Sequence, residues 1–273
     1  MMRSNPALRF ALFLILASSL ACSTPSISGT KQSYGPCDNV LYPFFFGAHW
    51  VYQIDKQDGS AITKFGLTVV KVADSQATID SLDMSTGITT QITADCDNGA
   101  IRNFPIISQN MLIGNTVASD FDMEYVSGLF APAQGAFIDN DWLYNWTAEY
   151  IVSGTIQAQV EGETLSIVLQ DTPLHMTWQT AGSGDAAFEP ITVPAGSFER
   201  ALKIENVISM DISLTLAGLP VNGKLTLRST QWFEPFTGLL KAQIDSGEVS
   251  ALGVNIPVAV KGTVELVEYL TAH

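Results

Sequence analysis

The sequence predicts an all-β protein: a single large antiparallel sheet curved into a half-open or closed barrel, with aromatic-rich loops covering one face. Three observations predict it. Long stretches of the C-terminal half alternate apolar and polar residues with a two-residue period, as strands do when one side is wet and the other buried. The N-terminal half divides into short Thr-, Ile- and Val-rich segments separated by turn residues. Amphipathic helical periodicity is almost absent, so curvature or a second sheet must hide the apolar face. The 273 residues are 47% hydrophobic and 15% charged. That composition excludes a disordered chain, and length alone allows one large β domain or two small ones.

Residues 1–21 have the layout of a secretory signal peptide: Arg3 and Arg9, the apolar run Phe10 to Leu16, then small residues up to Ala21. The apolar run is shorter than the roughly 20 residues a spanning helix needs. Ser19-Leu20-Ala21-Cys22 resembles the lipobox of bacterial lipoproteins, departing from it in having Ser19 where Leu is usual and Leu20 one position later. The resemblance implies cleavage after Ala21, a lipid on the Cys22 sulfur and then acylation, with palmitate as the expected chain. Plain secretion is the alternative, because Ser19-x-Ala21 also satisfies an ordinary small-x-small cleavage site. Two or three acyl chains, at about 0.8 kcal/mol per methylene, make such an anchor effectively permanent. Ser23 stands where the resemblance would place Asp for inner-membrane retention. The expected location is the bacterial cell envelope, outside the cytoplasm, at the outer membrane or the outer face of the cell membrane.

Residues 22–36 have the Ser, Thr, Gly and Pro content of a flexible tether. The whole chain has 13 basic and 27 acidic residues, a net charge of −14; losing Arg3 and Arg9 leaves 11 against 27, or −16. A domain so acidic is repelled by anionic headgroups and stands off the membrane on its tether. It also lacks the clustered cations that nucleic acid requires. With Cys22 lipidated, Cys37 and Cys96 remain. In an exported chain an even remainder reads as a disulfide, with two buried free thiols as the alternative. None of His49, His175 and His273 lies at zinc-ligand spacing from either.

Residues 37–273 are read as one domain, since no linker divides them. Trp50 and Tyr52 alternate with Val51 and Gln53, a strand period. Segments 61–72, 75–82 and 86–94 read as a meander of antiparallel strands. Residues 100–146, broken by Pro105, Gly114, Gly128, Pro132 and Gly135, read as long loops with a short helix around 107–113. Farther on, Ile156, Ala158 and Val160, then Leu165, Ile167 and Leu169, mark alternating strands. Ile208, Met210, Ile212, Leu214 and Leu216 share one face against Ser209, Asp211, Ser213 and Thr215; Leu225 and Leu227, then Val254, Ile256, Val258 and Val260, repeat the pattern. Strands 197–207, 224–234 and 237–248 join these stretches.

Four patterns, in order, resemble a group of largely uncharacterised exported proteins and lipoproteins of bacteria. They are Cys37…Tyr42-Pro43…Gly47…Trp50…Tyr52, Cys96-Asp97-Asn98-Gly99, Val193-Pro194-Ala195-Gly196-Ser197-Phe198, and Trp232-Phe233-Glu234-Pro235…Gly238-Leu239-Leu240-Lys241. The group looks related in architecture to the lipoprotein-localisation chaperone class, which implies an apolar concavity able to hold acyl chains. The residues themselves give these motifs structural roles: Pro194 and Gly196 make a tight hairpin, and Glu234-Pro235 ends a strand.

Catalytic chemistry is poorly supplied. Gly182-Ser183-Gly184 lacks the spacing of a nucleophile elbow and reads as a flexible turn. The three histidines are scattered. Asp139-Asn140-Asp141 and Asp120-Phe121-Asp122 alternate oxygen ligands but lack the glycine and distal Glu of a calcium loop, so solvated acidic loops are favoured. No phosphate-cradling glycine loop is present, and neither a cofactor nor a metal is expected. Glu199 and Glu205 are candidate partners for Arg200 or Lys203. Asn145-Trp146-Thr147 matches a glycosylation sequon, and its Trp reads as core. The best functional candidate is the aromatic-acidic stretch around 120–150. Phe121, Tyr125, Phe130, Phe137, Trp142, Tyr144 and Trp146 either plug the mouth of the sheet or line an opening for a ligand. The leading expectation is a non-catalytic module binding a hydrophobic small molecule or lipid in the sheet. The alternatives are a structural or protein-interaction lipoprotein with a filled core, whose partner the sequence does not name, and an unrecognised hydrolase.

Overall fold

Two-residue alternation of Thr, Val and Ile against polar residues, punctuated by tight turns, produces a sheet and little else. The computed structural model describes residues 35–57, 59–105, 117–160, 163–216, 219–258 and 261–270. Five strands form the N-terminal meander: β1 (His49–Asp55), β2 (Thr63–Ala73), β3 (Gln76–Asp83), β4 (Thr89–Asp97) and β5 (Ala100–Asn103). Next come β6 (Val117–Gly128), the short helix α1 (Gln134–Ile138), β7 (Asn145–Val160) and β8 (Glu163–Thr180). A 3-10 turn (Gly184–Ala187) leads into β9 (Phe188–Val193), β10 (Gly196–Leu216), β11 (Leu219–Glu234), β12 (Gly238–Ala251), β13 (Val254–Val258) and β14 (Thr263–Leu270).

All fourteen strands join one antiparallel sheet in the order β5-β4-β3-β2-β1-β14-β12-β11-β10-β8-β7-β6, with β13 added to β12 and β9 to β10. Its two ends nearly meet. Ile101 of β5 exchanges backbone hydrogen bonds with Ala131, just beyond β6, at 2.8 and 3.0 Å. The sheet is thus almost closed into a barrel, which protects edges that an open sheet would expose. The last strand, β14, lies between β1 and β12 and joins the two halves of the chain.

The expected alternation holds where the faces are described. Leu202, Ile204, Met210 and Ile212 of β10 are buried while Glu205, Asp211 and Ser213 are exposed. Separately read stretches 197–207 and 208–216 are one 21-residue strand. Val254 departs from the pattern: it is exposed, because β13 begins at the surface turn Leu252–Gly253. The hairpin at Pro194–Ala195, with Gly196 at φ 143°, and the turn at Pro235–Thr237 stand where the motifs place them. In the two-residue turn between β4 and β5, Asn98 and Gly99 both adopt positive φ, 49° and 83°. This is the geometry that matches hairpin twist.

Residues 100–146 require a correction. They contain two strands, β5 and β6, and the helix α1 lies at 134–138; the helix expected at 107–113 falls outside the described residues. In β6, Met123 is buried and Phe121 and Tyr125 half-buried, while Asp122, Glu124 and Val126 face outward. Acidic residues between aromatics there mark the exposed side of an edge strand, where charge deters further pairing. The charge pairs also differ from expectation. Arg200 pairs with Asp185 at 3.0 Å and Lys203 with Glu189 at 3.3 Å, because β9 runs alongside the start of β10, whereas Glu199 and Glu205 point to solvent.

Cys37 and Cys96 form a disulfide, as the cysteine count predicts. Cys22 and the tether up to residue 34 lie outside the described residues, as does His273.

Candidate functional site

The interior of the barrel holds a cavity of about 140 Å³. Its walls follow from the strand period. Trp50, Tyr52 and Ile54 are the inward residues of β1, and Phe65 and Leu67 those of β2. Leu227, Ser229 and Gln231 come from β11, Asn206 and Ile208 from β10, Met176 and Trp178 from β8, and Ala242 and Ile244 from β12.

One end is plugged by the segment that precedes β1. Asn39, wholly buried, donates to the Gly99 carbonyl (2.6 Å) and the Pro132 carbonyl (2.8 Å), and its Oδ1 accepts from the backbone of Leu41 and Tyr42. With every polar atom engaged, this side chain is a strong tie between three loops. It holds Tyr42 and Phe44 against Phe104 and Phe130, with ring centroids 5.0 to 6.0 Å apart. Trp50 donates its indole N–H to the Thr237 carbonyl at 2.6 Å. Gly238, next in the chain, sits at φ 118°, and a Cβ there would come within 3.0 Å of Trp50 Nε1. The close approach of this turn to the cavity wall therefore requires glycine.

Burial raises the Tyr42 and Tyr52 phenols well above their ordinary pKa, and in Tyr52 the neighbouring Tyr42 adds to the effect. Both are neutral at physiological pH. The linkage sign follows: above pH ~10 the unfolded chain gives up these protons and the folded chain keeps them. Stability should therefore be intact below pH ~10 and fall as the pH rises beyond it. Urea midpoints measured at pH 8 and 10.5 should show a drop that the Tyr42→Phe, Tyr52→Phe double variant reduces.

Polar residues also enter the lining: Asn206, Ser229, Gln231 and Thr263, with Lys56 and Arg228. Asn206 donates to the Thr177 carbonyl and accepts from Ser229 at 3.3 Å, so both are engaged. Gln231 Oε1 is buried with no hydrogen-bond partner among the described residues. An acceptor in that position is suited to a ligand's donor or to an ordered water.

Of the seven aromatics expected at the mouth, Phe130 alone lines this cavity. Trp146 stands beside the lining: it pairs with Trp178 across β7 and β8, stacks on it at 5.8 Å and 8°, and donates to the Phe130 carbonyl. Tyr144 stacks on Trp146, and Phe137 packs edge-on to both and stacks on Trp142. Tyr125 meets Tyr150 edge-on and donates to the Gly128 carbonyl, and Phe121 is half-buried beside the core. Phe137, Trp142, Tyr144 and Trp146 form a packed cluster beside the lining residue Trp178. The residues that sequence reasoning missed are Gln231, Ser229 and Asn206. The signal was present: each is polar at a position that the two-residue period places inside.

The remaining candidates stand apart from the cavity. His49 shares a 2.8 Å hydrogen bond with Thr68. His175 lies 3.5 Å from Glu149, which also accepts from Ser127, in an exposed row on the outer face of the sheet. Asp122, Asp139 and Asp141 are exposed, the Asp120 side chain lies outside the described residues, and no group of metal-ligating side chains forms among the described residues.

No family model matches the chain, and no curated protein does. Two solved structures are similar to it. One, from Bacteroides fragilis, is named as an exported protein with a YmcC-like fold; it is 12% identical, covers 85% of this chain and 100% of its own, and has a TM-score of 0.44. The other, from Parabacteroides distasonis, is named as a lipoprotein; it is 15% identical, covers 85% of this chain and 99% of its own, and has a TM-score of 0.45. The fold assignment rests on the chain's own strand pairing.

Proposed function

We propose that this chain is an exported, lipid-anchored protein of the bacterial cell envelope whose β domain binds an apolar ligand inside its barrel and carries out no catalysis. The observation that carries the reading is the cavity: an interior space walled by aromatic and aliphatic side chains, with a few polar groups placed among them, which is the usual make-up of a small-molecule site. The N-terminal pattern ending in Cys22 supports export and anchoring. So does the Cys37–Cys96 disulfide, since such bonds persist in oxidising compartments. His49 and His175 lie away from the cavity, which favours binding over hydrolysis. Among the described residues, neither a histidine nor a carboxylate lines this cavity, which favours holding its occupant over transforming it.

Native mass spectrometry of the detergent-free purified protein is expected to show a bound small organic molecule that denaturation releases. A protein that carries nothing, and that also fails to take up 1-octanol in titration, would overturn the proposal.

A further inference from the structure

We infer that the cavity takes a small apolar molecule, about one aromatic ring in size by comparison with known cavities, whose single hydroxyl group seats against Ser229 and Gln231. The inference rests on the apolar-ligand reading above and adds to it the size of the ligand and its polar group.

Register brings the polar residues together. Ser229 of β11 pairs with Asn206 of β10 on one side and with Ile244 of β12 on the other; Gln231, two residues along, pairs with Ile204 and Ala242. Residues two apart on a strand share a face, so Ser229 and Gln231 stand side by side in the cavity wall. Arg228, between inward Leu227 and Ser229, leaves the outer face of the strand. Size limits what can reach them. A cavity of ~150 Å³ holds a benzene, and this one has about 140 Å³.

What these two side chains leave open is acceptor capacity. The Ser229 hydroxyl donates to Asn206 Oδ1, and Asn206 Nδ2 donates to the Thr177 carbonyl. Ser229 has thus spent its one hydrogen and keeps lone pairs on Oγ. Gln231 Oε1 has no partner among the described residues. Gln231 is half-buried on an inward face, so part of it is open to the cavity, and a turn of its terminal amide brings Oε1 to that space. A buried acceptor without a donor is costly, and a ligand that supplies the donor recovers the loss. An ammonium donor would need a carboxylate beside it, and among the described residues none lines the cavity. A hydroxyl needs no counter-charge. The Tyr42 and Tyr52 phenols, kept protonated by burial, also line the space and can donate back to a ligand oxygen.

Isothermal titration calorimetry of the purified protein at pH 7.5 compares p-cresol with anisole, isomers of which only the first has a donor. p-Cresol should bind about tenfold more tightly. Gln231→Met, which keeps the side-chain length and removes the amide, should bring p-cresol down to the level of anisole and leave anisole unchanged; a thermal melt checks the fold. Ser229→Ala should lower the preference in part. 2-Naphthol, with a second fused ring, should bind more weakly than p-cresol despite its larger apolar surface. Equal binding of p-cresol and anisole by the native protein overturns the hydroxyl and leaves the apolar site standing. A preference that survives both Gln231→Met and Ser229→Ala overturns the seat, and tighter binding of 2-naphthol overturns the size. Binding of none of p-cresol, anisole and 1-octanol overturns this inference and the apolar-ligand reading together.

Discussion

Replacing Cys37 and Cys96 together by serine is expected to cost about 4 kcal/mol of unfolding free energy, from the entropy of closing a loop of about 60 residues in the unfolded chain. The two residues are 59 apart in sequence and both are buried. The consequence goes beyond global stability. Cys37 lies at the start of the plug, two residues before Asn39 and five before Tyr42, and Cys96 lies at the β4–β5 turn whose Gly99 carbonyl receives Asn39. Cutting the bond removes the covalent tie between plug and meander and leaves Asn39 with the backbone hydrogen bonds Gly99 N–H to Pro36 and Phe236 N–H to Val40. Reduction should therefore weaken ligand binding at denaturant concentrations where the sheet is still folded. Urea unfolding followed by far-UV dichroism, alongside titration with 1-octanol, checks both parts. A loss below 1 kcal/mol, with binding untouched, would mean that the plug is held by packing alone.

The sequence disclosed the fold through its least ambiguous elements. Met210 and Ile212 against Asp211 and Ser213, or Ile204 against Glu205, leave no doubt of a one-sided strand, and a chain of such strands without helices has to curve. The turns were legible because their residues have conformational reasons: Asn98-Gly99 for positive φ, and Pro194 with Gly196 for the hairpin. Strand β6 was obscured because acids between aromatics satisfy two readings, a solvated loop and a charged edge strand, and only the pairing partner separates them. The site was obscured for a related reason. Seven rings around residues 120–150 look like a mouth in sequence, yet a barrel assigns rings to layers by register, and register is a long-range property. Trp178 pairs with Trp146 across β7 and β8, so both rings leave the same face of the sheet and stack, and of the two Trp178 reaches the cavity. Asn206, Ser229 and Gln231, which sit in neighbouring strands at matched register, were the better indication. Burying a polar residue on the apolar face has a cost, and three clustered there, Gln231 with no partner for its Oε1 among the described residues, mark a place where the interior is not solid core.

Ala242→Leu separates a binding cavity from a packing defect. Ala242 lies on β12 opposite Gln231 of β11 and Val264 of β14, and all three line the cavity. Leucine adds three carbons to that wall. If the space is where the ligand sits, those carbons take the place of about three ligand methylenes, each worth about 0.8 kcal/mol. The expected loss is about 2.4 kcal/mol, or about 50-fold in affinity for 1-octanol. The same carbons bury apolar surface in the ligand-free protein, and cavity filling commonly adds ~0.5–2 kcal/mol of stability. Binding and stability should thus move in opposite directions, read by fluorescence titration and by urea midpoint on the same sample. A tightly packed wall would respond otherwise: overpacking costs ~1–3 kcal/mol, and both quantities would fall together. Unchanged binding would place the ligand elsewhere. The alanine carries its own argument, since a larger residue facing an interior space is an accessible gain in stability, and a binding site is a physical reason for a protein to forgo it.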